Sequence, residues 1–309
     1  MEGTLRHREG TPAPRRGRAA HPGRLLPVLL LLVPLLPACG RRPAPAERPA
    51  PAAEVAAAAP KRVHLFPAGA ETLRVEIHYV TGASSPRVAN GVTVSLGSAR
   101  PLTLQSDLDS QEEWTCVDSL SGRDLNGDGN IEAVLARSNG GSCGGCRSLI
   151  LVSAGAGEPR VISPDPQDDR VPREVADLRH DGRYQLLVLD TSWEEAHGLS
   201  EADSPRPLRV WAWNGRAYVD STGAFPRFVV ARMRLALAEA CALEGSSAET
   251  RWLGRLAEYV LYADMLGRGR AALDTLRAHV AANPPTEPEV RATASEVEVA
   301  LLHRVARRT

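Results

Sequence analysis

The residues best suited to do chemistry lie in a nine-residue polar segment, 124–132, that leads directly into the apolar run 133–136. Oxygen-bearing side chains occupy its positions 1, 3, 5 and 9: Asp124, Asn126, Asp128 and Glu132. Calcium takes 6–8 oxygen ligands, so this spacing predicts a Ca²⁺ loop, in which Gly129 permits the sharp turn. The spacing disfavours an EF-hand, because Leu135 stands where its last acidic ligand belongs. The alternative is a turn that binds nothing, since Asp, Asn and Gly favour turns without metal.

A second copy of this segment follows 53 residues later, as 177–185, and again runs into an apolar stretch, 186–189. It keeps acidic residues at Asp177 and Asp181, but Arg179 and Gln185 replace the second and last oxygen ligands of the first copy. A guanidinium has no acceptor atom and cannot ligate a cation. We therefore predict the loop twice and the metal site once, and leave open whether Asp177 and Asp181 bind any cation.

Three strand-like stretches follow each loop: 131–137, 147–153 and 160–163 after the first, and 184–191, 208–213 and 216–220 after the second. Over residues 115–220 these two copies resemble FG-GAP repeats, the blades of integrin-alpha-type β-propellers. The resemblance implies that Asp124, Asn126, Asp128 and Glu132 ligate Ca²⁺ through side chains and Asn130 through its backbone carbonyl. Residues 62–225 hold at most three such units, whereas a closed propeller has about 4–8 blades. We expect a mainly β region of blade-like antiparallel sheets that does not close.

The dipeptide Asn214-Gly215 between alternating strands predicts a two-residue type I′ hairpin turn. That register pairs Trp211 with Tyr218 on one face of the hairpin. The aromatic pair is a candidate platform for stacking a carbohydrate, and ordinary cross-strand packing is the alternative.

Cysteine usage fits an exported protein, because Cys116, Cys143, Cys146 and Cys241 give an even number in addition to Cys39. We predict a structural disulfide from Cys116 to Cys143 or Cys146 first, and a Cys143–Cys146 pair second. A thioredoxin-type motif should open a helix, whereas a β-type run follows here. Cys241 lies within a helical pattern and reads as a small buried residue.

The first 38 residues read as a signal peptide. A basic stretch, 1–24, precedes the apolar run 25–36, which is too short and proline-interrupted to span a bilayer of about 30 Å. The sequence around Cys39 resembles the lipobox of bacterial lipoproteins, which implies lipidation of that cysteine and a membrane anchor. Gly40, in place of the aspartate that retains such proteins at the inner membrane, implies an outer-membrane lipoprotein. The alternative is an uncleaved anchor or an ordinary secreted protein.

Residues 39–60 are rich in Pro and Ala and contain nothing large to bury, so we expect a disordered tether.

The β-domain is predicted over 61–225. From 226 to 309 the spacing is helical, with four helices predicted near 228–245, 249–266, 271–282 and 290–307. Two capping boxes, at Ser246–Glu249 and Thr286–Glu289, are expected to open the second and fourth helices. The pair 252–282 resembles a tetratricopeptide unit loosely, and a small bundle that covers an exposed sheet edge is the simpler expectation.

The chain carries 37 basic and 37 acidic residues, so it has no basic excess to attract nucleic acid. The neutrality is an average, because residues 62–225 alone carry a charge of −8. We therefore expect a lipid-anchored, non-enzymatic binding or scaffold protein of the bacterial envelope, stabilised by Ca²⁺, with a possible protein partner on its helices. The alternative is an envelope hydrolase of polysaccharide or lipid that uses Glu112, Glu113 or Glu132.

Overall fold

The computed structural model describes residues 60–81, 88–106, 112–141, 146–155, 157–164, 170–194 and 196–307. All described elements belong to one compact unit, Ala56–Thr309. The signal peptide, Cys39 and the tether up to residue 59 lie outside the described residues, so the expectations for them stay predictions.

Twelve strands in the described residues form three four-stranded antiparallel sheets, each in sequential order. The first contains β1 (Lys61–Ala68), β2 (Glu71–Tyr79), β3 (Ala89–Leu96) and β4 (Leu102–Gln105). The second contains β5 (Glu113–Cys116), β6 (Ile131–Ser138), β7 (Arg147–Ala154) and β8 (Arg160–Val161). The third contains β9 (Arg170–Ala176), β10 (Gln185–Asp190), β11 (Leu208–Trp213) and β12 (Tyr218–Asp220). The mainly β region followed by helices is confirmed, and none of these sheets closes into a barrel.

The second sheet is buried on both faces, which explains why β6 and β7 are apolar runs rather than alternating patterns. Leu135 and Ile150 on one face pack against the first sheet. Val134 and Leu151 on the other face pack against Leu186 and its neighbours in the third sheet. The three sheets are therefore stacked face to face through two apolar cores.

The outer face of the third sheet is covered by helix. Leu187 and Val210 form a small core with Phe225, and Phe228 of the first helix packs against it. The helices thus cover a sheet face, and our expectation that they cover an edge is wrong. The physical reason is that β10 is buried along its whole length, so both of its faces need an apolar partner.

Four helices follow: α1 (Pro226–Leu243), α2 (Glu249–Met265), α3 (Gly269–Ala282) and α4 (Pro288–Ala306). Their buried stripes meet in one core around Leu253, Leu256 and Leu273. The fully buried Tyr262 of α2 ties this bundle to the sheets, because its hydroxyl oxygen accepts a hydrogen bond from the backbone N–H of Leu208 at 2.8 Å.

The two predicted capping boxes do not form. Neither α2 nor α4 has a side-chain hydrogen bond at its cap residue. Instead, the Glu249 carboxylate accepts hydrogen bonds from the backbone N–H and the hydroxyl of Thr286, at 3.0 and 2.8 Å. Glu249 of the first predicted box is therefore hydrogen-bonded to Thr286 of the second. This contact ties the start of α2 to the loop before α4.

The predicted hairpin register is also wrong. Trp213 pairs with Tyr218, and Trp211 pairs with Asp220, because the two-residue loop is Gly215-Arg216. Asn214 stands before this loop, where its side-chain oxygen accepts hydrogen bonds from the backbone N–H groups of Arg216 and Ala217. Local capping by the Asn side chain has shifted the turn by one residue.

Candidate cation loop and its surroundings

The segment 124–132 forms a compact loop that is organised around Asp124. One carboxylate oxygen, Oδ1, accepts hydrogen bonds from the N–H groups of Gly127 and Asp128 at 2.7 and 3.2 Å. The other, Oδ2, accepts one from Gly129 at 2.9 Å, and Asp128 Oδ1 accepts one from the N–H of Asn130 at 2.9 Å. The backbone therefore holds both aspartates in fixed positions at the loop.

Glu132 is the second residue of β6, and its side chain is fully buried beneath this loop. Its Oε2 accepts a hydrogen bond from the backbone N–H of Leu125 at 2.7 Å. Burial raises the pKa of Glu132 to about 7, and the neighbouring carboxylates of Asp128 and Asp124 add to the rise. A buried carboxylate with two further acids beside it is an electrostatic environment that a cation would stabilise.

Asn126, which is buried, faces these acids with its nitrogen rather than its oxygen. Its Nδ2 lies 3.2 Å from Asp128 Oδ2 and 3.5 Å from Glu132 Oε1, while its Oδ1 accepts the N–H of Asp128. An ion bound between the carboxylates would need this amide turned to present Oδ1. The Asn130 side chain packs against Gly155, where a Cβ atom would lie 1.9 Å from its Oδ1, so its predicted role rests on its backbone carbonyl alone.

The second loop repeats this geometry at the offset of 53 residues. Asp177 accepts hydrogen bonds from the N–H groups of Asp181 and Gly182, and Asp181 accepts one from Arg183. The N–H of Leu178 donates to Gln185 Oε1 at 2.9 Å, as that of Leu125 does to Glu132. The repeat predicted from sequence is thus also a repeat of hydrogen bonds.

The two loops differ at the atom that matters most for a cation. In the second loop the amide Nε2 of Gln185 donates to the backbone carbonyl of Arg183 at 2.7 Å. In the first loop the corresponding atom is a carboxylate oxygen of Glu132, which cannot donate a hydrogen bond when ionised. In the second loop the backbone carbonyl is therefore hydrogen-bonded within the loop. In the first loop an acidic oxygen lies at the position of the donor.

Residues of the second loop and of the third sheet lie beside the first loop. The backbone N–H of Tyr184 donates to the carbonyl of Leu125 at 2.6 Å. A Cβ at Gly127 would lie 2.9 Å from the Arg183 guanidinium, so this positive charge sits at the loop tip. Burial together with the charges of Glu132, Asp128 and Asp124 raises the pKa of Tyr218.

Burial of Tyr218 also removes the predicted carbohydrate platform. This tyrosine is only 4% exposed, packs in the core between the second and third sheets, and contacts Trp213 edge-on at 5.4 Å. It does not pair with Trp211, so ordinary packing accounts for these aromatics.

The cysteine prediction needs correction. Cys116 and Cys241 are free thiols, and Cys241 is exposed on α1 rather than buried. Cys146 is disulfide-bonded. Cys143, its partner in our second prediction, lies outside the described residues, so that pairing stays a prediction. Cys116 stands opposite Leu135, which stands opposite Ile150, four residues from Cys146. Strand geometry separates the two cysteines by roughly 15 Å, which no disulfide can span.

A cavity of about 480 Å³ lies at the other end of the second sheet. Its polar and basic lining residues are Glu113, Thr115, Arg137, Ser138, Arg147, Ser148 and Arg173. Of these, only Glu113 was predicted from sequence, as a candidate acid for hydrolysis. Burial lowers the pKa of Arg173, and the neighbouring guanidinium groups of Arg206 and Arg147 act in the same direction. The hydroxyl of Ser148 is buried without a hydrogen-bond partner in the described residues. Ser138 pairs with Arg147 across β6 and β7, and the succession of the predicted strands 131–137 and 147–153 was the signal that could have placed these two residues together.

Two of the acids considered for hydrolysis, Glu113 and Glu132, lie too far apart to act as a catalytic pair. Glu113 pairs with Ser138 at one end of β6, and Glu132 lies near the other end, roughly 20 Å away along the strand. Glycosidases place their two carboxyl groups about 5–9.5 Å apart. Glu112 is adjacent to Glu113 and lies 3.6 Å from the guanidinium of Arg137.

Comparison of the chain with protein-family models, curated proteins and solved structures finds no match. Among the residues that the structure describes, no helix is both long and apolar enough to cross a bilayer.

Proposed function

We propose that this chain is a lipid-anchored, non-enzymatic binding protein of the bacterial envelope, whose sheets are blades of a partial propeller stabilised by one Ca²⁺ ion. The observation that carries the proposal is the pair of loops with matching hydrogen bonds, of which only the first has a carboxylate at its last position. In the second loop the Gln185 amide makes its own hydrogen bonds, whereas the first loop has the Glu132 carboxylate at that position. This difference is what we expect if the first loop is specialised to bind a cation.

The stack of three sheets supports the blade interpretation. Each sheet is a four-stranded meander, and the second and third sheets each have a strand, then the loop, then three strands. Each sheet needs its neighbours to bury its apolar faces, so the sheets hold one another in place. A rigid stack of this kind is compatible with a scaffold role. The predicted signal peptide, the lipidated Cys39 and the tether supply the envelope location in this proposal.

The arginine-lined cavity provides the candidate binding site, and its charge indicates an anionic ligand. Arg137, Arg147 and Arg173 gather around one space with Glu113 as the acidic lining residue. Guanidinium groups recognise carboxylates and phosphates in bidentate fashion. An envelope polysaccharide that carries carboxylate groups fits this chemistry.

Calorimetry tests the cation loop. We expect the full chain in mild detergent to release or absorb heat on titration with Ca²⁺, and Asp128→Ala to abolish that heat. The matched control is Asp181→Ala, the equivalent change in the second loop, which should leave binding intact. No heat with the unmodified chain, together with unchanged melting in EGTA, would refute the calcium proposal.

Two further experiments test the anchor and the ligand. Mass spectrometry of the membrane-extracted protein should find the lipid on Cys39, and Cys39→Ser should release the chain from membranes. Binding of oligogalacturonate should weaken with Arg147→Ala and with added salt, while Arg216→Ala, in the exposed hairpin loop, serves as control. Cleavage of the oligosaccharide instead of simple binding would favour the hydrolase alternative.

A further inference from the structure

A cluster of three metal-ligating side chains lies at the junction of the first and second sheets, away from the calcium loop. His64, Cys116 and Asp118 bring one nitrogen, one sulfur and one oxygen donor to within 4.8 Å of one another. His64 Nδ1 is 2.6 Å from Asp118 Oδ1. The three residues are separated by up to 54 positions in sequence, and the stacking of the sheets brings them together.

The fold holds two of these side chains in fixed positions. His64 lies in β1, where its ring is stacked parallel to that of Phe66. Cys116 is the last residue of β5, and its Sγ lies 3.4 Å from the hydroxyl of Ser121. Ser121 is itself fixed, because its oxygen accepts the backbone N–H of Val134 at 2.9 Å. Such support from surrounding groups is what keeps a ligand set ready for a metal.

The two ring nitrogens of His64 lie in different surroundings. Nδ1 faces Asp118, whereas Nε2 is buried without a hydrogen-bond partner in the described residues, so Nδ1 is the nitrogen placed to bind an ion beside Asp118. The thiol of Cys116 is half-buried, and burial raises its pKa to about 11. A protonated thiol of this kind is a poor nucleophile, which disfavours a catalytic role for the cysteine.

We propose that His64, Cys116 and Asp118 bind one Zn²⁺ ion, with a fourth position open to water or a ligand. Zinc accepts mixed nitrogen, sulfur and oxygen ligands in tetrahedral geometry, whereas calcium takes oxygen alone. On binding, Cys116 loses its thiol proton to solvent and coordinates as the thiolate.

The geometry requires a small adjustment. Two ligand atoms on a tetrahedral zinc are about 3.4 Å apart for bonds of about 2.1 Å. His64 Nδ1 and Asp118 Oδ1 must therefore separate by a little under 1 Å. The Asp118 side chain is 65% exposed in the turn after β5, so it can move without disturbing either sheet.

Cobalt substitution tests the proposal on the full chain in detergent. Co²⁺ should give a thiolate-to-metal charge-transfer band, and Zn²⁺ should displace it at one equivalent. We expect Cys116→Ser to remove the band and His64→Gln to weaken Zn²⁺ binding at least about 10-fold. Cys241→Ser and His78→Gln are the matched controls, and Asp128→Ala should leave the band unchanged, which separates this site from the calcium loop.

Thiol protection in the unmodified chain tests the same site without any variant. Zn²⁺ should slow alkylation of Cys116 at least about 10-fold, and alkylation of the exposed Cys241 should keep its rate, with both followed by peptide mass spectrometry. Equal rates at Cys116 with and without Zn²⁺, or a cobalt band that survives Cys116→Ser, would overturn the proposal.

Discussion

Replacing Glu132 by Gln should make the first loop behave like the second, and the structure gives the size of the effect. The amide of Gln185 already occupies the equivalent place, with the same backbone donor from Leu178. Glu132→Gln is therefore compatible with the fold at this position. It removes the one buried carboxylate of the loop while keeping the hydrogen bond from Leu125.

The magnitude follows from the pKa of Glu132, which burial raises to about 7 from a usual 4.5. A raised pKa means that the folded chain prefers the protonated acid, so this stability is full below pH 4.5 and is lost as the pH rises through 7. Without Ca²⁺, ionising Glu132 costs about 3 kcal/mol at pH 8. We expect Glu132→Gln in EDTA at pH 8 to raise the free energy of unfolding by up to that amount, or about 6–12 °C in melting temperature.

Thermal melting between pH 4 and 8, in EDTA and in excess Ca²⁺, is the assay. The unmodified chain in EDTA should lose stability between pH 4.5 and 7, Ca²⁺ should restore it, and the variant should respond to neither. The reasoning is refuted if the variant melts lower than the unmodified chain in EDTA at pH 8, or if Ca²⁺ stabilises both equally.

Three further substitutions have defined outcomes. Gln185→Glu places a carboxylate against a backbone carbonyl in the second loop, so urea unfolding should show a larger loss of stability at pH 8 than at pH 5. Tyr262→Phe leaves the N–H of Leu208 without its buried acceptor, and should lower the free energy of unfolding by about 1–3 kcal/mol in the same assay. Gly254→Ala puts a methyl group 1.8 Å from the carbonyl oxygen of Asp203, so it should lower the melting temperature although Ala favours helices; an increase would contradict the close packing.

Much of the fold could be predicted because its signals are local. The strands after each loop and the four helices lie within a few residues of their predicted bounds, since hydrophobic periodicity and turn residues mark both. The strands β1, β4, β5 and β9 were missed. β1 is an exposed edge strand with Leu65 60% exposed, β4 and β5 have four residues each, and β9 contains Pro172. Exposure, short length and proline each weaken the pattern by which a half-buried strand is recognised.

The candidate sites divide in the same way. The candidate calcium loop is a contiguous motif, so its residues could be named from the sequence. The arginine cavity and the His64–Cys116–Asp118 cluster are assembled from different strands, and no spacing rule relates residues that meet only after sheets stack. Cys116 is an example of such a failed prediction. The even number of cysteines favoured a disulfide, but the thiol is free and lies beside His64.

The sequential strand order has a consequence for how the chain folds. Within each described sheet, the strands pair in sequence order, so each sheet closes short loops and loses little chain entropy before its contacts form. During synthesis the first sheet can pair before the second has been made, and the second before the third. The helical cover comes after all twelve described strands along the chain. Until Phe225 and Phe228 have been made, Leu187 and Val210 on the outer face of the third sheet lack their apolar partners, so we expect this interval of synthesis to be prone to aggregation.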